Sequence, residues 1–207
     1  MFYRPGVDAH GFEHNPFKAL VVPRPIAWIS TIDPEGHVNL APFSYFNAIA
    51  TDPPMVMFSA GGESRLKDTP RNIIKTKEFV VNIVPEHLFA EMTETAQAMD
   101  ATVDETERVG VATRPSRLVA PPCVADSPVN LECRMFRDVN LPRSSDGYPN
   151  TAVIGEVIGI HIGDDLYRQG RLRIAEMKPI ARLGYDEYAI VNNAITLSNW
   201  LSGGSRS

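Results

Sequence analysis

A chain of 207 residues is long enough for one β-barrel domain, and 43% hydrophobic with 22% charged residues is the makeup of a globular protein rather than a disordered one. The formal net charge of −5 and pI near 5.5 exclude the broadly basic face that nucleic-acid binding requires. The longest apolar runs, residues 79–84 and 153–162, are too short for a bilayer or are interrupted by Gly, Glu and His, so no membrane span is expected. Met1-Phe2-Tyr3-Arg4-Pro5-Gly6 lacks the basic segment and apolar run of a secretory signal. Two cysteines, Cys123 and Cys133, match neither a metal knuckle nor a disulfide framework. The expectation is a cytoplasmic protein with both thiols buried and reduced.

Residues 1–16 hold Pro5, Gly6, Gly11 and Pro16 without an apolar period, which predicts an irregular arm before a single domain over 17–200 and a mobile tail over 201–207. Residues 25–32 are rich in β-branched and aromatic side chains, Asp33-Pro34-Glu35-Gly36 carries turn chemistry, and 37–41 resumes as a strand, which makes a hairpin. Residues 43–50 read as a third strand, Asp52-Pro53-Pro54 as a turn and 55–59 as a fourth strand, apolar on both faces. After the flexible Ala60-Gly61-Gly62, Asp68 or Thr69 can cap a helix that suits Pro70 in its first turn and runs to about Lys75.

Residues 79–84 form a compact apolar strand, and Leu88, Phe89, Met92 and Ala96 recur at helical spacing, which predicts a helix over 86–99. Residues 114–128 contain Pro115, Pro121, Pro122 and Pro128 and read as an extended crossover. Long strands follow over 129–139 and 151–162, separated by a Ser144-Ser145-Asp146-Gly147 loop, with a last strand at 188–191. The sum is a mainly β protein with peripheral helices.

His10-Gly11-Phe12-Glu13-His14 has the H-x-x-E-H spacing of inverted zinc peptidases, but that site needs a helix, and Gly11 and the nearby prolines oppose one. His87 and Glu91 share a helical face as a surface pair. There is no G-x-G-x-x-G after a strand, no P-loop ending and no G-x-S-x-G elbow. What stands out is a set of polar residues at strand ends: Ser30, Thr31, Asn39, Ser44, Asn47 and Ser59, followed by Arg65, Lys67 and Thr69. Singly these are ordinary turn and cap residues; together they resemble a site. Lys67-Asp68-Thr69 at a helix start offers free N–H groups, a hydroxyl and a cation, the combination that holds a phosphate monoester. Pro25, Ile26 and Pro42 can flank a flat ring. The residues alone stop at a phosphate-bearing ligand in a barrel.

Arg24-Pro25-Ile26-Ala27-Trp28-Ile29-Ser30-Thr31, Asn39-Leu40-Ala41-Pro42-Phe43-Ser44-Tyr45-Phe46-Asn47, Asp52-Pro53-Pro54 and Lys67-Asp68-Thr69-Pro70-Arg71-Asn72-Ile73 together resemble the flavin reductase-like, FMN-binding split-barrel family, on the side of flavoredoxin and the reductase component of nitrilotriacetate monooxygenase. The similarity is strong over 17–100 and traceable through Leu131-Glu132-Cys133, Gly155-Glu156-Val157 and Arg182-Leu183-Gly184. The resemblance implies a Greek-key split β-barrel and a homodimer with one FMN per subunit near the interface. It implies phosphate contacts from Lys67, Asp68 and Thr69, and a ribityl and ring lining from Ser30, Thr31, Ala41, Pro42, Ser44, Asn47 and Ser59. Arg24 is a further candidate contact, and Trp28 is either a flavin neighbour or core.

The activity implied is that of an NAD(P)H-dependent FMN oxidoreductase, with NADH or NADPH as transient electron donor and a separate monooxygenase as possible acceptor of reduced flavin. Because the cofactor carries the chemistry, no catalytic residue is named. The alternatives are a non-enzymatic electron-transfer protein of flavoredoxin type and a haem-binding relative, the latter without a histidine in a recognisable ligand motif.

Overall fold

The computed structural model describes residues 1–61, 66–100, 102–195 and 197. Seven strands build the body: β1 (Ala27–Ile32), β2 (Val38–Phe43), β3 (Phe46–Thr51), β4 (Pro54–Gly61), β5 (Glu78–Ile83), β6 (Val129–Leu141) and β7 (Asn150–Ile162). They form one antiparallel sheet in the order β2-β1-β5-β6-β7-β4-β3. The sheet curls until its ends meet. Phe43 of β2 lies 4.9 Å, centroid to centroid, from Phe58 of β4, and Phe58 lies 6.0 Å from Phe79 of β5. These rings pack inside the barrel with Ile29, Val56, Val81, Cys133 and Val153. Gly155 of β7 makes room for them, because a Cβ there would stand 2.4 Å from the Phe79 ring.

Three helices matter to the site: α1 (Asp68–Thr76), α2 (Phe89–Glu94) and α3 (Glu105–Val109). Helix α2 and the segments beside it cover the outer face of β1 and β2, where Trp28, Leu40, Val84, Leu88, Met92 and Val124 form a second core. β1 is thereby buried on both faces, which accounts for its near-continuous apolar run. A small three-stranded sheet of Arg24–Pro25, Ile180–Arg182 and Tyr188–Ile190 returns the C-terminal third to the start of β1, with Arg24 opposite Arg182.

Several expectations change. Residues 86–99 are not one helix but a 3-10 turn, Glu86–Leu88, followed by the six-residue α2. Thr95 ends α2, its hydroxyl donating to the Met92 carbonyl at 3.0 Å and accepting from Trp28 Nε1 at 2.8 Å. The α1 N-cap is Lys67, without a side-chain cap bond, rather than Asp68 or Thr69. The expected crossover contains two short strands, Thr113–Arg114 and Cys123–Val124, that pair with each other. α3, which precedes it, follows from a signal passed over: Asp104 accepts from the N–H groups of Thr106 and Glu107, and Gly110 closes the helix at φ 80°.

His10 to His14 is not helical, His14 is exposed and His10 half-buried, and the His10 ring accepts the Phe12 N–H at 3.1 Å. Cys123 and Cys133 are free and buried, as expected. Among the described residues no helix is long and apolar enough to cross a membrane. The tail at 201–207, Arg65 and Gly62 lie outside the described residues.

Candidate functional site

Two adjoining cavities, of about 120 and 300 Å³, form one cleft between β2, the start of α1, α2 and the small C-terminal sheet. They share Pro42, Lys67 and Ala96. The smaller one is polar, walled by Asn39, Lys67, Asp68, Thr69 and Glu105. The larger one is walled by Ile26, Met92, Tyr45 and Tyr188 together with Lys18, Arg24, Ser44 and Arg182.

The polar end follows from the start of α1. Its first N–H groups have no partner within the helix and carry the positive end of the helix dipole. Thr69 is 1% exposed and accepts from Asn39 Nδ2 at 2.8 Å, an arrangement that leaves its own O–H free to donate. Asp68 Oδ1 lies 2.5 Å from Arg71 Nη1, a contact of charge rather than an aligned hydrogen bond, so its negative charge is offset on the helix itself. Glu105, 7% exposed, is fixed by the Leu40 N–H at 2.5 Å. Burial pushes its carboxyl up to about 7, the Leu40 N–H opposes the rise, and Asp68 and Asp104 add to it.

The structure divides the expected ligand residues into three groups. Ala41, Pro42, Ser44, Lys67, Asp68 and Thr69 line the cleft. Trp28, Ser30 and Thr31 do not, because protein partners consume their side chains. Trp28 is fully buried on Thr95, Ser30 donates to the Pro122 carbonyl at 2.5 Å, and Thr31 accepts from Asn72 at 3.2 Å. Alternation along β1 sends these side chains to faces that are already packed. Asn47 and Ser59, on β3 and β4, do not line the cleft either; Asn47 is exposed and its amide oxygen accepts the Ala48 N–H at 2.9 Å, while the Ser59 N–H donates to the Tyr45 carbonyl at 2.9 Å.

Arg24 lines the larger cavity but is no free cation. Nη1 donates to the Lys18 and Val21 carbonyls at 2.5 and 2.7 Å, and Nη2 donates to Leu183 at 3.0 Å. Its guanidinium also sits 5.6 Å from the centroid of the Tyr45 ring. Arg24 therefore ties the N-terminal segment and the 183 loop around the cleft.

Glu105, Met92, Arg182 and Tyr188 are cleft residues that sequence reasoning missed. The α3 capping pattern could have placed Glu105. Nothing local could have placed Arg182 and Tyr188, which reach the cleft only through pairing between strands distant in sequence.

A relative from Aquifex aeolicus, an uncharacterised protein, is 36% identical over 172 residues, 82% of this chain and 85% of its own length. The crystal structure of nitrilotriacetate monooxygenase component B from Bacillus cereus matches with TM-score 0.87 at 30% identity, over 95% of this chain and 98% of that one. Flavoredoxin of Desulfovibrio vulgaris matches with TM-score 0.73 over 95% and 96% of the two chains; at 18% identity that likeness concerns the fold alone. Residues 19–177 match the flavin reductase-like domain, and with its split barrel the chain belongs to that family.

Proposed function

We propose that the chain is an NAD(P)H-dependent flavin reductase that holds FMN in the cleft along β2 and passes electrons from NADH or NADPH through it. The observation that carries this reading is one cleft with a cation and a helix start at one end and aliphatic and aromatic side chains, with Arg24 and Arg182 beside them, at the other. The donor set fits the ligand. Lys67, the first N–H groups of α1 and the Thr69 hydroxyl suit a phosphate, and Ile26, Pro42, Met92 and Tyr188 suit a flat ring.

Bound flavin supplies the hydride-accepting ring. The chain's own residues bind and orient it: Lys67 and Thr69 fix the phosphate, Asn39 holds the Thr69 oxygen in place, and the apolar walls exclude water from one ring face. At pH below about 7 Glu105 carries a proton at the polar end, which spares the phosphate a buried negative neighbour. Delivery of reduced flavin to a separate monooxygenase is supported by the 30% identity to a monooxygenase component.

The active form proposed is a homodimer. β3 leaves five of its six residues exposed, Ile49 at 47% among them, and a sheet-edge strand bare on both faces is the surface that a second copy would cover. Ile49→Lys should convert a dimer to a monomer in light scattering; a wild-type monomer at micromolar concentration would refute the assignment.

The activity is tested by an anaerobic spectrum of the FMN-loaded protein before and after NADH and then NADPH. Rapid loss of the flavin band at catalytic protein levels establishes a reductase and names its donor. Bound flavin that neither donor bleaches would turn the reading to an electron-transfer protein of flavoredoxin type.

A further inference from the structure

We propose a second binding site, independent of the flavin cleft, that takes a small oxyanion, a carboxylate or a phosphate, between the guanidinium groups of Arg114 and Arg117. Both line a cavity of about 460 Å³ at the far end of β7, together with Ser127, Asn130 and His161.

Arg114 is held in place before any ligand arrives. Its Nη2 donates to Asn130 Oδ1 at 2.6 Å, and Asn130, 1% exposed, is itself pinned by donating to Asn82 Oδ1 at 2.8 Å and to the Val124 carbonyl at 3.1 Å. Its Nη1 lies 3.4 Å from His161 Nδ1. A long, flexible side chain anchored by a buried amide has already lost the freedom that binding would otherwise cost.

The carboxylate nearby is committed elsewhere. Glu132, 1% exposed, accepts from the N–H groups of Arg117, Leu118 and Val119 at 2.8, 2.6 and 3.2 Å and contacts His161 Nε2 at 2.5 Å. Among the described residues neither Arg114 nor Arg117 has a carboxylate within ion-pair distance of its guanidinium. Two such groups on one polar cavity, in a chain of net charge −5, form a local positive field of the kind that a planar oxyanion satisfies in bidentate fashion. Cys123, Glu132 and His161 also bring donor atoms within 4.8 Å of one another. The adjacent Arg114 cation disfavours a divalent metal there and favours an anion.

The test uses FMN-saturated protein, so that a phosphate site in the flavin cleft is filled, at constant ionic strength. Inorganic phosphate and benzoate are titrated separately by calorimetry into wild type, Arg114→Gln and Arg117→Gln. Saturable one-to-one binding of at least one probe is expected, weakened by about tenfold in each variant, with FMN affinity unchanged. The probe that binds tells a phosphate ligand from a carboxylate one. Arg117 is exposed, so its variant keeps the test decisive if Arg114→Gln fails to fold. Absence of saturable binding by either probe, or binding undiminished in Arg117→Gln, overturns the proposal.

Discussion

Two polar clusters have opposite fates in this barrel. Behind β1, Asn82 donates to the Trp28 carbonyl at 2.9 Å and to Ser30 Oγ at 3.3 Å, and accepts from the Val124 N–H at 2.9 Å and from Asn130 at 2.8 Å. Every hydrogen-bonding position of that amide is used, and Asn82 is fully buried. In front of β2, the Thr69 hydroxyl, Lys67 and Glu105 border open space. The lesson is that polarity does not mark a ligand site; polarity left facing a cavity does. The first cluster locks the crossover at residues 122–124 to the barrel, and the second lines the cavity that a ligand would fill.

The sharpest way to break this contrast is Asn82→Leu. It strands the Val124 N–H and the Asn130 amide in the core and should cost about 3 kcal/mol or more of stability. Urea denaturation should show it, while the fraction that remains folded should bind FMN normally; a change in flavin affinity without lost stability would reverse the assignment of the two clusters. The mirror-image variant is Lys67→Ala, expected to leave stability within about 0.5 kcal/mol and to weaken FMN by about 1.5 to 3 kcal/mol. Riboflavin, which lacks the phosphate, should bind wild type and variant alike. Equal losses for both flavins would place the phosphate elsewhere. Thr69→Ala should behave in the same direction, with some added instability because Asn39 loses its acceptor.

Glu105, in the second cluster, accepts the Leu40 N–H and also lines the cleft, and it produces the smallest effect. Its carboxyl stands at about 7 against an ordinary 4.5, so the folded chain holds a proton that the unfolded chain releases earlier. Its relative contribution to stability is therefore fully present below about 4.5 and lost as pH rises through about 7. Glu105→Gln should flatten the fall in the urea midpoint between those values. An unchanged slope would mean that the carboxylate is solvated.

Much of the fold was legible. The β-branched run ending at Ile32, the Asp33-Pro34-Glu35-Gly36 turn and the Lys67 to Thr69 helix start are local signals, and each appears within a few residues of its expected place. The helix expected over 86–99 came out short because Thr95 answers to Trp28, 67 positions earlier, rather than to its own neighbours. For the site, the helix start and the Pro42 region could be read from residue type and order. Ser30 and Thr31 could not be separated from Ser44 and Thr69 in that way, since all four are hydroxyls near strand ends.

By itself, the sequence determined the class of the protein, the order of its strands along the chain and the family to which it belongs, because alternation, turn residues and motif order are properties of neighbouring residues. Tertiary structure alone decided which hydroxyls are spent in the core, how Arg24 closes the cleft, and that Arg182 and Tyr188 reach it. Those outcomes depend on which face of a strand is already packed and on pairing between residues more than a hundred positions apart, and chain connectivity carries neither.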